Sequence, residues 1–181
     1  MALMPRASHD WTVDDLEQLP DDGLQYELLD GILLVTPAPI PLHQETVSEL
    51  CVQLRRSCPR HLKALVAPLD WRPDTRTSLQ PDLLVVARGD IGEQAIIRPP
   101  LLAVEVLSPS TGRKDRVLKF SKYAEAGVAS YWIVDPARPS IDAYDLVDGA
   151  YVEAGSASGS DSVILQRPYP ITITPAALVD I

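Results

Sequence analysis

Two acids in the chain stand in surroundings that do not suit them. Glu105 interrupts the run Leu101-Leu102-Ala103-Val104-Glu105-Val106-Leu107, which is otherwise apolar and is bounded by Pro99-Pro100 before it and Pro109 after it. Such a run reads as a strand covered on both faces. An ionised carboxylate taken out of water without a partner costs several kcal/mol, so Glu105 requires a cation nearby or an open strand end. Asp82 opens a second strand-like run, "QPDLLVVA", directly after Pro81. If these two strands pair antiparallel across the connection Arg88 to Pro100, the start of the first lies beside the end of the second, and Asp82 meets Glu105. Two neighbouring carboxylates suit a hard cation, and Mg²⁺ takes one or two protein carboxylates while keeping several waters. Such an ion lowers the pKa of a bound water and stabilises charge developing on a phosphate and its leaving oxygen, as phosphodiester cleavage requires. Lys114, Asp115 and Lys119 follow in the next expected helix, where an ammonium can orient that water or balance the phosphate.

The elements that must position these groups can be read in order. From His43 to Ser57, Val47, Leu50, Cys51, Leu54 and Cys58 recur at intervals of three and four, the pattern of an amphipathic helix. "LKALVAPLDW", "QPDLLVVA" and "LLAVEVLS" then read as three strands, a helix is expected from Arg113 to Glu125 with Gly127 ending it, and "SYWIVD" as a further buried strand. Hairpins flank this core. Asp30-Gly31 joins two strands between Tyr26 and Thr36, and Asp148-Gly149 repeats the device in "IDAYDLVDGAYVEA". Thr12 with Asp15 suits the start of a short peripheral helix reaching about Leu19. "PAPIPLH" forces an extended linker, "GSASGSDS" reads as a polar loop, and "YPITITPAALVD" as a last strand and helical turn.

With 181 residues, 46% hydrophobic and 23% charged, the expectation is a single domain spanning 1–181 with its core at about 26–151. No run approaches the roughly 18 apolar residues of a membrane helix, and "MALMPRASHDWT" has no apolar core of signal-peptide length, which points to the cytoplasm. Cys51 and Cys58 are seven residues apart in one expected helix, about 10 Å and beyond disulfide reach, and read as reduced core residues. The formal net charge of -9 argues against a surface that attracts nucleic acid everywhere, while leaving room for a local groove or a bound cation.

"QPDLLVV", then "AVEVLSPST", then "DRVLKFSKYAEAGVASYWIVDP", with "YELLDGILLVTPAP" and a following His upstream, resemble the Uma-type family of restriction-endonuclease-like proteins within the PD-(D/E)XK nuclease superfamily. The likeness covers roughly Tyr26 to Tyr151. It implies an α/β fold with a restriction-endonuclease-like core (helix, three strands, helix, strand around a mixed sheet) and added β-hairpins. It also implies a Mg²⁺- or Mn²⁺-dependent endonuclease acting on DNA. Carried over by position, Asp82 is the acid of the Pro-Asp pair, Glu105 the second metal-binding acid, and Glu27 the upstream acid that many members add to the site, here completing the metal shell. The superfamily's usual lysine would stand two residues after Glu105, where this chain has Leu107; Lys119 is the matching position on the following helix, with Tyr123 one turn on to support it. A homodimer is expected as the commonest soluble assembly and one that presents two sites to two strands.

Plainer readings stand beside these. Lys119, Asp115 and Lys122 cluster on the helix side opposite Val117, Phe120 and Ala124, as a solvated face would. His43 reads as a helix-start residue. Ser108, Ser110 and Thr111 suit helix capping, since no elbow motif or partnered His accompanies them. Tyr131 and Trp132 read as core. At the level of function, the rivals are a catalytically silent nuclease-fold binding module and a hydrolase of RNA or another phosphoester.

Overall fold

A computed structural model describes residues 11–108 and 113–179, without the side chains of residues 113–117. Pro109, Ser110 and Thr111, the side chains of Lys114, Asp115 and Val117, and the first ten residues therefore lie outside the described residues. In chain order the elements are α1 (Val13–Leu16), β1 (Gln25–Leu29), β2 (Ile32–Thr36), α2 (Pro41–Ser57), β3 (Leu62–Val66), β4 (Trp71–Asp74), β5 (Thr77–Leu79), β6 (Leu83–Ala87), β7 (Leu102–Val106), α3 (Arg113–Glu125), β8 (Ser130–Asp135), β9 (Ser140–Val147), β10 (Ala150–Ser158), β11 (Val163–Leu165) and β12 (Ile171–Ile173). Single 3₁₀ turns occupy Arg88–Asp90 and Pro175–Leu178.

The main sheet has six strands in the order β10-β9-β8-β7-β6-β3. Its pairs are antiparallel except β7 with β8, which α3 connects as a crossover. A four-stranded sheet in the order β2-β1-β5-β4 packs beside it, and β11 pairs with β12. Because side chains alternate along a strand, the main sheet buries two separate cores. Leu83, Val85, Leu102, Val104 and Trp132 point to one face, where α2 lays Val47, Leu50, Cys51 and Leu54. Leu84, Val86, Ala103, Tyr131 and Ile133 point to the other, where Tyr123 of α3 meets Trp71, Leu79 and Leu29 of the smaller sheet. Both cysteines are free.

Turn chemistry closes the hairpins as expected. Asp30 and Gly31 take φ of 50° and 83°, and Asp148 and Gly149 take 50° and 82°, the left-handed pairs of a type I′ turn. Gly127 ends α3 at φ 82°. Three boundaries and one helix face differ from the sequence reading. Helix α2 begins at Pro41, because proline at the first helical position sacrifices only an N–H that would lack a partner anyway. "LKALVAPLDW" divides between two sheets, β3 ending at Val66 and β4 starting at Trp71. Strand β10 continues through Gly155–Ser158, expected as loop, because β9 offers partners as far as Ser140. Finally, the buried side of α3 carries Lys119 and Tyr123, whereas Leu118 is 47% exposed.

Candidate active site

The pairing of β6 with β7 is antiparallel and sets Leu83 opposite Val104, so Asp82 falls one step on, opposite Glu105. The Val106 N–H donates to Asp82 Oδ2 at 2.7 Å across that junction. Both acids therefore stand at one rim of the main sheet, as the strand pattern required. Glu27 reaches the same place from β1, where it is 4% exposed.

Lys119 joins the two sheets. Its Nζ donates to Glu27 Oε1 and Oε2, each at 3.0 Å, and to Glu105 Oε1 at 3.1 Å. The residue is 8% exposed, so the solvated-face reading of this helix side is overturned. The reason is tertiary: the smaller sheet covers the side of α3 that would otherwise meet water, and Lys119 and Tyr123, four residues apart, share that side. Tyr123 donates its hydroxyl to Glu105 Oε1 at 2.7 Å, supporting the acid rather than the lysine. Leu107, where a strand lysine is absent, packs at the edge of the core that contains Tyr123.

Two further groups complete the cluster. His43, on the third residue of α2 and 6% exposed, brings Nε2 to 3.3 Å from Asp82 Oδ1. Its Nδ1 is buried without a hydrogen-bond partner. The sequence reading assigned His43 only to a helix start, yet a signal was present: it lies four residues before Val47 and seven before Leu50, on the buried stripe of α2. Gln80 donates its backbone N–H to Glu27 Oε1 at 2.8 Å, while its side chain donates to Asp70 Oδ1 at 2.7 Å. No side-chain pattern reveals a backbone donor of this kind. Ser108 also lines the cleft.

The electrostatics follow from three carboxylates facing one ammonium. Burial raises the Glu105 carboxyl, the Asp82 and Glu27 charges raise it further, and Lys119 and the Tyr123 hydroxyl only partly oppose them; the result is pushed up to about 7. Burial works against the Lys119 charge, but Glu105 and Glu27 outweigh it and hold the ammonium above the ordinary lysine range. Burial and the adjacent Glu105 keep Tyr123 a phenol. Burial also disfavours the His43 cation, yet the hydrogen bond and charge of Asp82 prevail and lift its pKa. The cluster opens into a cleft of about 580 Å³ whose wall includes Leu16, Tyr26, Pro37 and Arg72. A cavity of that volume lies within the usual range for ligand sites, about 300–1,000 Å³.

The geometry can be set beside known proteins. The chain is similar to the crystal structure of a "putative nuclease belonging to DUF820" from Anabaena variabilis ATCC 29413, at 20% sequence identity and a TM-score of 0.72, covering 93% of this chain and 97% of that one. At that identity the likeness establishes the restriction-endonuclease-like fold. No curated protein matches the sequence. A family model aligns with residues 13–178, a span that includes Glu27, His43, Asp82, Glu105 and Lys119, and on that match the chain belongs to the Uma2 family, described as "Putative restriction endonuclease".

Proposed function

We propose that the protein is a metal-dependent endonuclease that hydrolyses phosphodiester bonds in DNA, working in the cytoplasm as a homodimer. The observation that carries this reading is the convergence of Asp82, Glu105 and Lys119 at one sheet rim inside a ligand-sized cleft.

The donor set fits Mg²⁺ or Mn²⁺. Among the described residues no group of three or more His, Cys, Asp or Glu side chains is placed to hold a metal ion by itself, so the ion of this proposal takes Asp82 and Glu105 and fills its other positions with water. The excess of carboxylate over ammonium, expressed in the raised Glu105 pKa, leaves negative charge for a dication to neutralise. Asp82 and Glu105 would hold the ion, and Glu27 would stand next to it, sharing Lys119 with Glu105. When bound, the metal supplies a water of lowered pKa and charge stabilisation for the phosphate.

The chain's own groups then have separate tasks. The Val106 N–H and His43 fix the two oxygens of Asp82. The Tyr123 hydroxyl fixes Oε1 of Glu105. Lys119, held above the lysine range, remains an ammonium whose bonds to Glu27 and Glu105 fix its positive charge beside the place an attacking water or a phosphate would take. Glu27 and the Gln80 N–H set the position of that ammonium from the far side.

The test combines binding with turnover. Calorimetric Mn²⁺ titration should show a site in wild type that is lost in Asp82→Ala and Glu105→Ala, and equal affinity in all three proteins ends the metal assignment. Supercoiled plasmid, linear duplex and single strands incubated with Mg²⁺ or Mn²⁺ should be cut by wild type and spared by both variants. Intact DNA in every tube ends the catalytic assignment.

A further inference from the structure

The cleft that holds Lys119 is also lined by a second cation, Arg72 on β4. Its guanidinium is anchored on one side only. Nε donates to Asp70 Oδ2 at 3.0 Å and Nη2 donates to the same oxygen, while Asp70 Oδ1 accepts from the Gln80 side chain. Gln80 in turn accepts from the Gln25 amide at 3.1 Å. This buttress orients the planar fork and leaves Nη1 directed elsewhere. Nη1 donates to Glu17 Oε1 at 3.1 Å.

The two partners of Arg72 differ in character. Asp70 is 17% exposed in its side chain and belongs to the network that continues through Gln80 to Glu27. Glu17 is 56% exposed and caps α1, a four-residue helix that buries no side chain. Exposed ion pairs of this kind contribute little, because water and salt compete for both charges. A phosphate offers the guanidinium a stronger partner, since Arg meets phosphate oxygens through charge-assisted bonds of fixed geometry. Among the described residues lining the cleft, Arg72 and Lys119 are the only lysine or arginine side chains, and Lys119 is committed to two carboxylates.

We infer that Arg72 is a phosphate-anchoring residue of the cleft and that Glu17 is a displaceable placeholder on it, so that a phosphate of the bound substrate takes the place of the Glu17 carboxylate. This rests on the nuclease reading for the identity of the substrate, but not for the chemistry of the anchor, which requires only a phosphate group.

Binding without turnover tests it. In EDTA, fluorescence anisotropy with a labelled single-stranded oligonucleotide and with a labelled duplex, competed by inorganic phosphate, is measured for wild type, Glu17→Gln, Arg72→Lys, Arg72→Gln and Glu17→Gln combined with Arg72→Gln. Glu153→Gln, on the far edge strand β10, controls for the change in net charge. The expected result is about threefold tighter binding in Glu17→Gln, the scale of one exposed ion pair, and no change in Glu153→Gln. Arg72→Gln should weaken binding about tenfold or more, Arg72→Lys should weaken it because the fork is lost, and Glu17→Gln should confer no gain once Arg72 is absent. The inference is overturned if Glu17→Gln and Glu153→Gln act alike, if the Glu17→Gln gain survives in the double variant, or if no phosphate-bearing probe binds any variant. Failure of the nuclease reading looks different: the binding pattern above persists, yet no DNA is cut when metal is added.

Discussion

Glu105 shows how far one side chain can be moved from its ordinary behaviour by its neighbours. A carboxyl whose folded pKa exceeds its unfolded value holds its proton more tightly in the native state. The stability this confers is present below the usual value of 4.5 and is lost as pH rises through about 7. His43 acts in the same direction, because its raised pKa stabilises the fold while the imidazole is protonated and ceases to do so as pH rises through the folded value. The melting temperature of the protein in EDTA should therefore fall between pH 5 and pH 8, and Glu105→Gln should make that slope shallower; parallel slopes would contradict the assignment. Lys119→Met removes the cation from two buried acids. Urea denaturation at pH 8 should report a loss of about 3–5 kcal/mol, the cost of breaking a buried pair. The loss should shrink near pH 5, where Glu105 regains its proton. Turnover should drop about 10²–10³-fold, the scale of one preorganised donor.

At the scale of elements, the site depends on strands and turns that hold still. Gly149 has open space around its missing Cβ but a φ of 82°, so Gly149→Ala isolates the backbone cost of the left-handed turn, about 1–2 kcal/mol by denaturant titration. Gly155 is the converse case. A Cβ there would come within 2.8 Å of Val163 Cγ2, at the bulge where β10 lies against β11, and Gly155→Ala should cost about 1–3 kcal/mol by overpacking. Neither change touches the sheet rim at Asp82 and Glu105, so the Mn²⁺ affinity of both variants should equal that of wild type. A fall in affinity with either one would mean that the hairpin and the rim are coupled.

For the whole molecule, charge decides how nucleic acid is met. A net charge of -9 opposes general attraction to a polyanion, and the described cleft holds few cations. The salt dependence of oligonucleotide binding should accordingly be shallow, with a log–log slope of magnitude about 2 or less, since each neutralised phosphate contributes roughly one. A steep slope would point to a basic path outside the cleft. Sedimentation velocity addresses the homodimer, and a single species at 19.8 kDa would overturn it. Among the described residues no helix is long and apolar enough to cross a membrane.

Much of this was determined by the chain itself. Continuous apolar runs marked β6, β7 and β8, the Asp-Gly pairs closed both hairpins, and the antiparallel return from β6 to β7 was enough to bring Asp82 beside Glu105, because in such a pair the start of one strand lies beside the end of the other. Only the tertiary structure decided the rest. Whether Lys119 faced water or the acids depended on the smaller sheet packing against α3, an event between segments far apart in sequence. The same packing made Gln80 and Arg72 neighbours of the cleft, while α2, laid on the other face of the main sheet, brought His43 to Asp82. Local periodicity records which face of an element is apolar, but it carries no term for which distant element will cover a polar face, and the partners of a buried charge are chosen by that covering.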